Sequence, residues 1–375
     1  MERFDERELN AVAAVIRRGE LSEFFRSWSG GIEVQAFEEE FARYLGTKNA
    51  VTVSNGTVAL ELALKSLGVR RGDEVIIPPL TFIATGTAVL SVGAKPVFVD
   101  IDPTTLGMDP YLIGEAITKK TKCIIPVSLL GFPVNMKALL EESRGIPVLE
   151  DAAQALGAAF DGKKIGTFGL MGTFSLQHTK TCTSLGEGGM IVTDDVGLAD
   201  RCRNIRNHGN AYGSMTGGCV CTNSRMTEAQ AAFGRMQLRK LDAFNLIQRE
   251  NAQYFLEHII PPLFNVYHPV VDSEYPTYML IPARLRGSYS RDKLIEIAKR
   301  DGVHQGVPGQ NIGYYKKLLY DYPILQKYRR VCHNAEDARN SLLLFDFHRF
   351  NHTIKDMDTY LKWLPNALEQ ARCNP

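Results

Sequence analysis

The sequence predicts an α/β protein: a mainly parallel, seven-stranded sheet covered by helices on both faces, followed by a smaller C-terminal α+β domain. Two observations carry that prediction. Seven short, β-rich apolar runs alternate with helical patterns in the first half of the chain, as expected for parallel strands joined by helical crossovers. Beyond about residue 250 this rhythm fades into Pro- and Tyr-rich stretches and a helical tail, which places a large domain at 1–250 and a small one at 251–375.

In chain order the strand runs fall at 50–53, 74–77, 96–99, 122–127, 147–149, 172–175 and 190–193. Between the first two, Leu60, Leu64 and Leu67 recur at helical spacing and Gly68 supplies a stop. Thr227 and Gln230 form a capping-box pattern ahead of Phe233 and Met236, predicting another helix start.

The 375 residues are 45% hydrophobic and 23% charged, the composition of a soluble globular protein with room for two domains. A net charge of +1 exerts no broad pull on nucleic acid or anionic lipid, so anion recognition has to be local. The charged opening 1–9 lacks an apolar signal core and no run of 18 apolar residues occurs, predicting a cytoplasmic protein that does not enter a membrane. Seven scattered cysteines fit reduced thiols, and the close pair Cys219 and Cys221 has no matching Cys or His cluster, so no metal site is expected.

The chemistry concentrates at two strand ends. Asp151 follows the apolar run at 147–149, and its carboxylate is expected at the strand's carboxyl end, where open α/β sheets bind ligands. Lys180 lies just past the run at 172–175 and just before the glycine-rich turn 186–189. An amine and a carboxylate placed this way answer the two demands of pyridoxal 5'-phosphate: a group to hold its aldehyde, and a negative charge to keep its ring nitrogen protonated. Asn55, Gly56 and Thr57 open the helix that follows the first strand run, whose N–H groups and dipole favour a phosphate; taken alone, the segment is more often just a turn and helix cap. The 186–189 turn lacks the Gly-x-Gly-x-x-Gly spacing and leads into a strand, so it reads as a close backbone approach to Lys180 and not as a nucleotide loop. His178 and His208 are read as structural, since Lys180 itself can move the proton.

These segments, with 28–31, 54–57, 72–76, 81–82, 96–102, 150–154 and 222–226, occur in the order found in the DegT-type sugar aminotransferases, and the chain resembles that group of the aspartate-aminotransferase fold family (fold type I) over roughly two thirds of its length. The resemblance implies pyridoxal phosphate as cofactor, Lys180 as its Schiff-base lysine and Asp151 as the partner of its ring nitrogen. It further implies that Gly56, Thr57 and Ser175 bind the phosphate, that Phe82 stacks on the ring and that Gln154 bonds the phenolic oxygen. Asn223 matches an asparagine that reaches the phosphate of the neighbouring subunit, implying a homodimer with shared active sites.

The implied reaction moves an amino group from glutamate or glutamine to a keto sugar, usually nucleotide-linked, in amino-sugar biosynthesis. Leu176 stands where an aromatic is frequent and 127–131 lacks a frequent histidine, so an altered acceptor pocket is expected; 306–315 is a candidate recognition loop. Gln177 resembles members acting on cyclitol ketones, which makes an inosose-type acceptor the alternative. A regulatory relative without turnover, or a dehydratase, fits less well, because the dehydratases carry histidine where Lys180 stands.

Overall fold

A computed structural model describes residues 2–24, 27–211, 214–215, 220–259, 264–266, 274–285, 289–301, 317–345 and 354–372. Its central sheet contains β1 (Asn49–Val53), β2 (Glu74–Ile77), β3 (Lys95–Phe98), β4 (Thr121–Ile124) and β5 (Leu149–Asp151). After a small hairpin of β6 (Ala159–Phe160) and β7 (Lys163–Lys164), it adds β8 (Met171–Ser175) and β9 (Gly189–Thr193). β3, β2 and β4 are parallel, and β4 reaches β5 through the parallel bridges Ile124–Val148 and Val127–Asp151. The order is therefore β3-β2-β4-β5-β8-β9-β1, with β9 alone running against its neighbours. This is the mainly parallel, seven-stranded sheet expected from the apolar runs.

Alternation explains why those runs are apolar throughout. Val51, Val75, Cys123, Leu149, Met171 and Ile191 enter one buried cluster, while Ala50, Ile76, Ile124, Val148, Phe174 and Val192 enter another. Successive residues of a strand face opposite sides, so both faces are buried under helices. The covering helices are α1 (Glu6–Arg18), α2 (Ile32–Leu45), α3 (Gly56–Ser66), α4 (Ile83–Ser91), α5 (Ile113–Ala116), α6 (Met136–Glu142), α7 (Val196–Arg206) and the long α8 (Glu228–His258). α3 ends as expected: Gly68 adopts a φ of 78°, and its N–H and that of Val69 return to Lys65 and Leu64. The capping box of Thr227 and Gln230 opens α8.

A short pair, β10 (Asn210–Ala211) and β11 (Ser214–Met215), follows α7. Beyond α8, β12 (Phe264–Val266), β14 (Ile281–Leu285) and β15 (Leu342–Phe345) form a second, antiparallel sheet, while β13 (Glu274–Tyr275) pairs with β6. The sheet packs with α9 (Arg291–Arg300), α11 (Ile354–Gln370) and the last turns of α8 into a third core that contains Phe255, Leu294, Phe345, Tyr360 and Leu364. The stretch from Leu318 through α10 (His333–Ser341) returns to the first core: Tyr320 meets Phe98 edge-on at 5.4 Å, and the Asp100 carboxylate accepts the N–H groups of Asn334 and Ala335. Expected residue 250 thus lies inside α8, a continuous helix serving both the second and third cores.

One buried ion pair ties α2 and α7 to the strand that leads into the site. Arg206, fully buried, donates to Glu38 at 2.6 Å and to the carbonyl and hydroxyl oxygens of Thr52 on β1 at 2.8 and 2.9 Å. Breaking such a pair leaves an uncompensated buried charge, so Arg206→Met is expected to lose about 3–5 kcal/mol of stability in denaturant titration. The double change with Glu38→Gln should lose less than the sum of the singles.

Candidate active site

Asp151 ends β5 and is 5% exposed. Its Oδ2 accepts from the Thr85 hydroxyl at 2.8 Å, its Oδ1 from the Ala153 N–H at 3.3 Å, and the Thr81 and Thr85 hydroxyls lie 3.1 Å apart. Burial pushes the Asp151 pKa up against these donors and against the nearby positive charge of Lys180. The neighbouring Glu150 faces the other way, where its carboxylate receives the N–H groups of Gly166, Phe168 and Gly169 at 2.6–2.7 Å. Of two adjacent buried carboxylates, Glu150 fixes a loop, and Asp151 has the weaker set of donors.

Lys180 projects from the turn after β8, where its N–H donates to Gln177 O at 2.8 Å. Burial of the amine pulls its pKa from 10.5 to about 8, with the Asp151 charge opposing the fall. A lysine near 8 is still mostly protonated at physiological pH, but a far larger fraction of it is neutral than of an ordinary lysine, and the neutral form is the one that attacks a carbonyl or accepts a proton. Amine acylation of Lys180 in the apoprotein should therefore show a midpoint near pH 8, read by peptide mass spectrometry. Because the carboxylate raises that pKa, Asp151→Asn is expected to move the midpoint lower; a midpoint above 10 in the parent would contradict the enclosed amine.

α3 opens beside these groups. Asn55 caps it by accepting the Val58 N–H at 2.9 Å, so Gly56 and Thr57 are the first helical residues, whose N–H groups have no intrahelical acceptors. A Cβ on Gly56 would stand 2.8 Å from the Ser175 Cβ, which makes glycine necessary for the helix end to approach the end of β8. On the other side, a Cβ on Gly189 would collide with Asn55 O, while Gly186 O accepts the His178 N–H at 2.8 Å. The 186–189 turn is thus a close backbone approach to both the helix end and the lysine turn.

Phe82 precedes α4 and is 63% exposed, one helical turn from the Thr85 that bonds Asp151. Gln154 lies in the turn after β5, its Oε1 accepting the Leu130 N–H at 2.8 Å. Asn223 is exposed: its Oδ1 accepts from Arg225 Nε at 2.8 Å, and its backbone bridges to Asn207. The next residue, Ser224, accepts the Ser54 N–H, so the 222–226 segment runs along the loop that leads into α3. Thus Asp151 and Lys180 come together, as do Gly56 and Ser175, whereas Asn223 faces outward from its own chain.

Leu176 lies in the second core, and the 129–131 turn is buried, with Leu130 at a φ of 59°. Gln177 Oε1 accepts from both the N–H and hydroxyl of Thr179, at 2.7 and 2.6 Å, which shapes the lysine turn. His178 and His208 are exposed; the segment 306–315 lies outside the described residues. The cysteines at 123, 182, 202, 221 and 332 are free thiols, and among the described residues no cluster of three or more His, Cys, Asp or Glu suits a metal ion. No described helix is long and apolar enough to cross a membrane.

Sequence reading missed Thr85 and Thr81. The only local signal was a pair of threonines four apart at the start of a helix, with nothing to indicate that Asp151 was the target.

The donor set fits pyridoxal phosphate. Asp151 is a poorly compensated buried carboxylate suited to a ring N–H⁺, the α3 terminus beside Ser175 suits a phosphate, and the uncovered Phe82 ring is a surface for a flat aromatic. Fold and site together define a fold-type-I pyridoxal-phosphate enzyme. The DegT/DnrJ/EryC1/StrS aminotransferase family profile matches residues 3–349, and the chain belongs to that family. It is 42% identical over 269 residues to the GDP-perosamine synthase of Escherichia coli O157:H7, spanning 71% of this chain and 73% of that one. Over 229 residues it is 43% identical to the L-glutamine:2-deoxy-scyllo-inosose aminotransferase of Streptomyces lividus, spanning 58% and 54%. The crystal structure of S. venezuelae DesV superimposes with a TM-score of 0.86 at 30% identity, over 98% of this chain and 95% of that one.

Proposed function

We propose that this aminotransferase moves an amino group from glutamate or glutamine to a nucleotide-linked keto sugar, in amino-sugar biosynthesis. The observation that carries the acceptor class is the 42% identity to a GDP-perosamine synthase across 73% of that enzyme. Bound pyridoxal 5'-phosphate supplies the electron sink that accepts the charge left when the donor loses its α-proton. Lys180 Nζ takes that proton, and in the second half of the cycle returns one to the carbon that becomes amine-bearing. Asp151 holds the positive charge on the ring nitrogen, with the Thr85 hydroxyl fixing the carboxylate's orientation. Gly56, Thr57 and Ser175 hold the phosphate, Phe82 covers the ring and Gln154 bonds the phenolic oxygen, its amide oriented by the Leu130 N–H.

The third core supports a smaller C-terminal unit within 251–375 beside the large unit at 1–250, although the stretch from Leu318 to Leu342 packs on the first core. The exposed Asn223 supports a homodimer in which each site takes one phosphate ligand from its neighbour. If so, mixing inactive Lys180→Ala subunits with subunits impaired by a bulky Asn223→Trp change restores some activity, because one site of each heterodimer carries neither defect. Demonstrated subunit exchange without recovery would remove Asn223 from the partner's site. The net charge of +1, with no broad electrostatic pull on polyanions, supports an enzyme of small molecules.

The test of substrate class offers glutamate or glutamine with nucleotide-linked keto sugars, free keto sugars and cyclitol ketones, and follows the amino product by mass spectrometry. Amination of nucleotide-linked sugars is expected. Turnover of cyclitol ketones alone would establish the second reading, which rests on the inosose aminotransferase similarity. Cofactor binding with no turnover of any acceptor would argue for a regulatory protein.

A further inference from the structure

The catalytic turn is gripped from outside by a residue 177 positions away in sequence. Nη2 of Arg3 donates to Lys180 O at 2.9 Å and also to His178 O. From inside, the same turn is held by the Lys180 N–H on Gln177 O, the His178 N–H on Gly186 O and the Thr179 N–H on Gln177 Oε1. Arg3 thus bonds carbonyl oxygens on the outer side of a turn whose N–H groups are already committed.

Arg3 is itself anchored. Its carbonyl oxygen accepts from Gln237 Nε2 at 2.8 Å and from Lys240 Nζ at 3.4 Å. Lys240, 2% exposed on α8, pairs with Asp5 at 2.9 Å and Glu8 at 2.6 Å, and Gln237 also donates to Glu8 at 2.7 Å. Asp5 and Glu8 are the two halves of the α1 capping box. The Arg3 guanidinium lies 5.0 Å from the Phe4 ring centroid, and Phe4 packs against Phe233 of α8 at 5.5 Å. An ionic cluster on α8 therefore fixes a strap whose far end is the guanidinium bonded to the lysine turn.

We propose that Arg3 is a positioning residue for the amino-transfer reaction, setting the place of the Lys180 backbone and hence the reach of its amine. The proposal rests on the reading of Lys180 as the proton-carrying lysine. Both carbonyls are met by the two N–H groups of one nitrogen, Nη2, whose directions are fixed by the planar guanidinium, whereas the flexible stem of a lysine ammonium holds its donors less firmly. Displacement of a catalytic group by about 1 Å costs on the order of 100-fold in rate, so a residue that touches neither cofactor nor substrate can act strongly.

The test compares Arg3→Ala and Arg3→Lys with the parent. Arg3→Ala is expected to lower kcat by about 10–100-fold with KM little changed, and in the apoprotein to speed amide hydrogen exchange at 177–182 without change in α8. Arg3→Lys should recover part of both losses. Parent kcat and parent exchange at 177–182 in Arg3→Ala would overturn the proposal. So would a uniform rise in exchange through α1 and α8 with no particular effect on the turn, which marks a purely structural anchor. Borohydride trapping of the cofactor on Lys180 in Arg3→Ala keeps the two readings apart: trapping at another lysine removes the role of Lys180, whereas the exchange data bear on Arg3 alone.

Discussion

Lys180→Ala is expected to abolish amino transfer, with kcat reduced by at least about 1000-fold. General acid–base catalysis alone contributes about 10²–10⁴-fold, and in the proposed cycle one amine serves both the removal of the donor's proton and its return to the acceptor. His178, the nearest histidine in sequence, is exposed, and its backbone is tied into the turn. The apoprotein should not suffer: burial disfavours the charged amine, pulling its pKa to about 8, so its removal relieves a desolvation cost. Unchanged or raised thermal stability together with lost turnover separates a catalytic lysine from a structural one. Turnover within tenfold of the parent would exclude Lys180 as the proton carrier.

Asp151→Asn is expected to slow transfer by about 100–1000-fold, the usual cost of losing a preorganised electrostatic partner, and to weaken cofactor binding in equilibrium dialysis. The amide carbonyl of the variant still accepts from Thr85, so geometry is retained while the charge is lost. In the apoprotein the same change is expected to be neutral or stabilising at neutral pH, because an imperfectly paired buried carboxylate is costly. The sign follows from the raised Asp151 pKa. A carboxyl that binds its proton more readily in the folded state adds stability as pH falls through that raised pKa and loses it as pH rises. The advantage of the Asp151→Asn variant over the parent should therefore shrink on acidification. A variant that transfers amino groups at the parent rate would refute the electron-sink role.

The sheet was legible because its strands are buried on both faces. Each shows a short apolar run, and the observed strands fall within a few residues of those runs. The fourth run ends early in the ladder, since Pro126 contributes only its carbonyl oxygen, to the Asp151 N–H. Beyond residue 250 the signal weakened for a physical reason. The apolar side chains of the 318–342 stretch enter the first core, far away in sequence, so no local periodicity announces where it goes.

In the site, Lys180 and Asp151 were legible as residue types at strand ends, and Gly56 as a glycine at a helix start. Their supports were not. Thr85 bonds Asp151 across 66 positions, Arg206 meets Glu38 across 168, and Arg3 reaches Lys180 across 177. Such partners become visible only when the chain is folded. Asn223 is a different case, because its exposed side chain acquires a role only if a second subunit covers it.

In the proposed function Lys180 holds the cofactor. Borohydride reduction of the holoprotein, followed by peptide mapping, tests it most directly. A single pyridoxyl-modified lysine is expected in the peptide that contains residues 177–182, at Lys180. A label on any other lysine, with Lys180 unmodified, would contradict it.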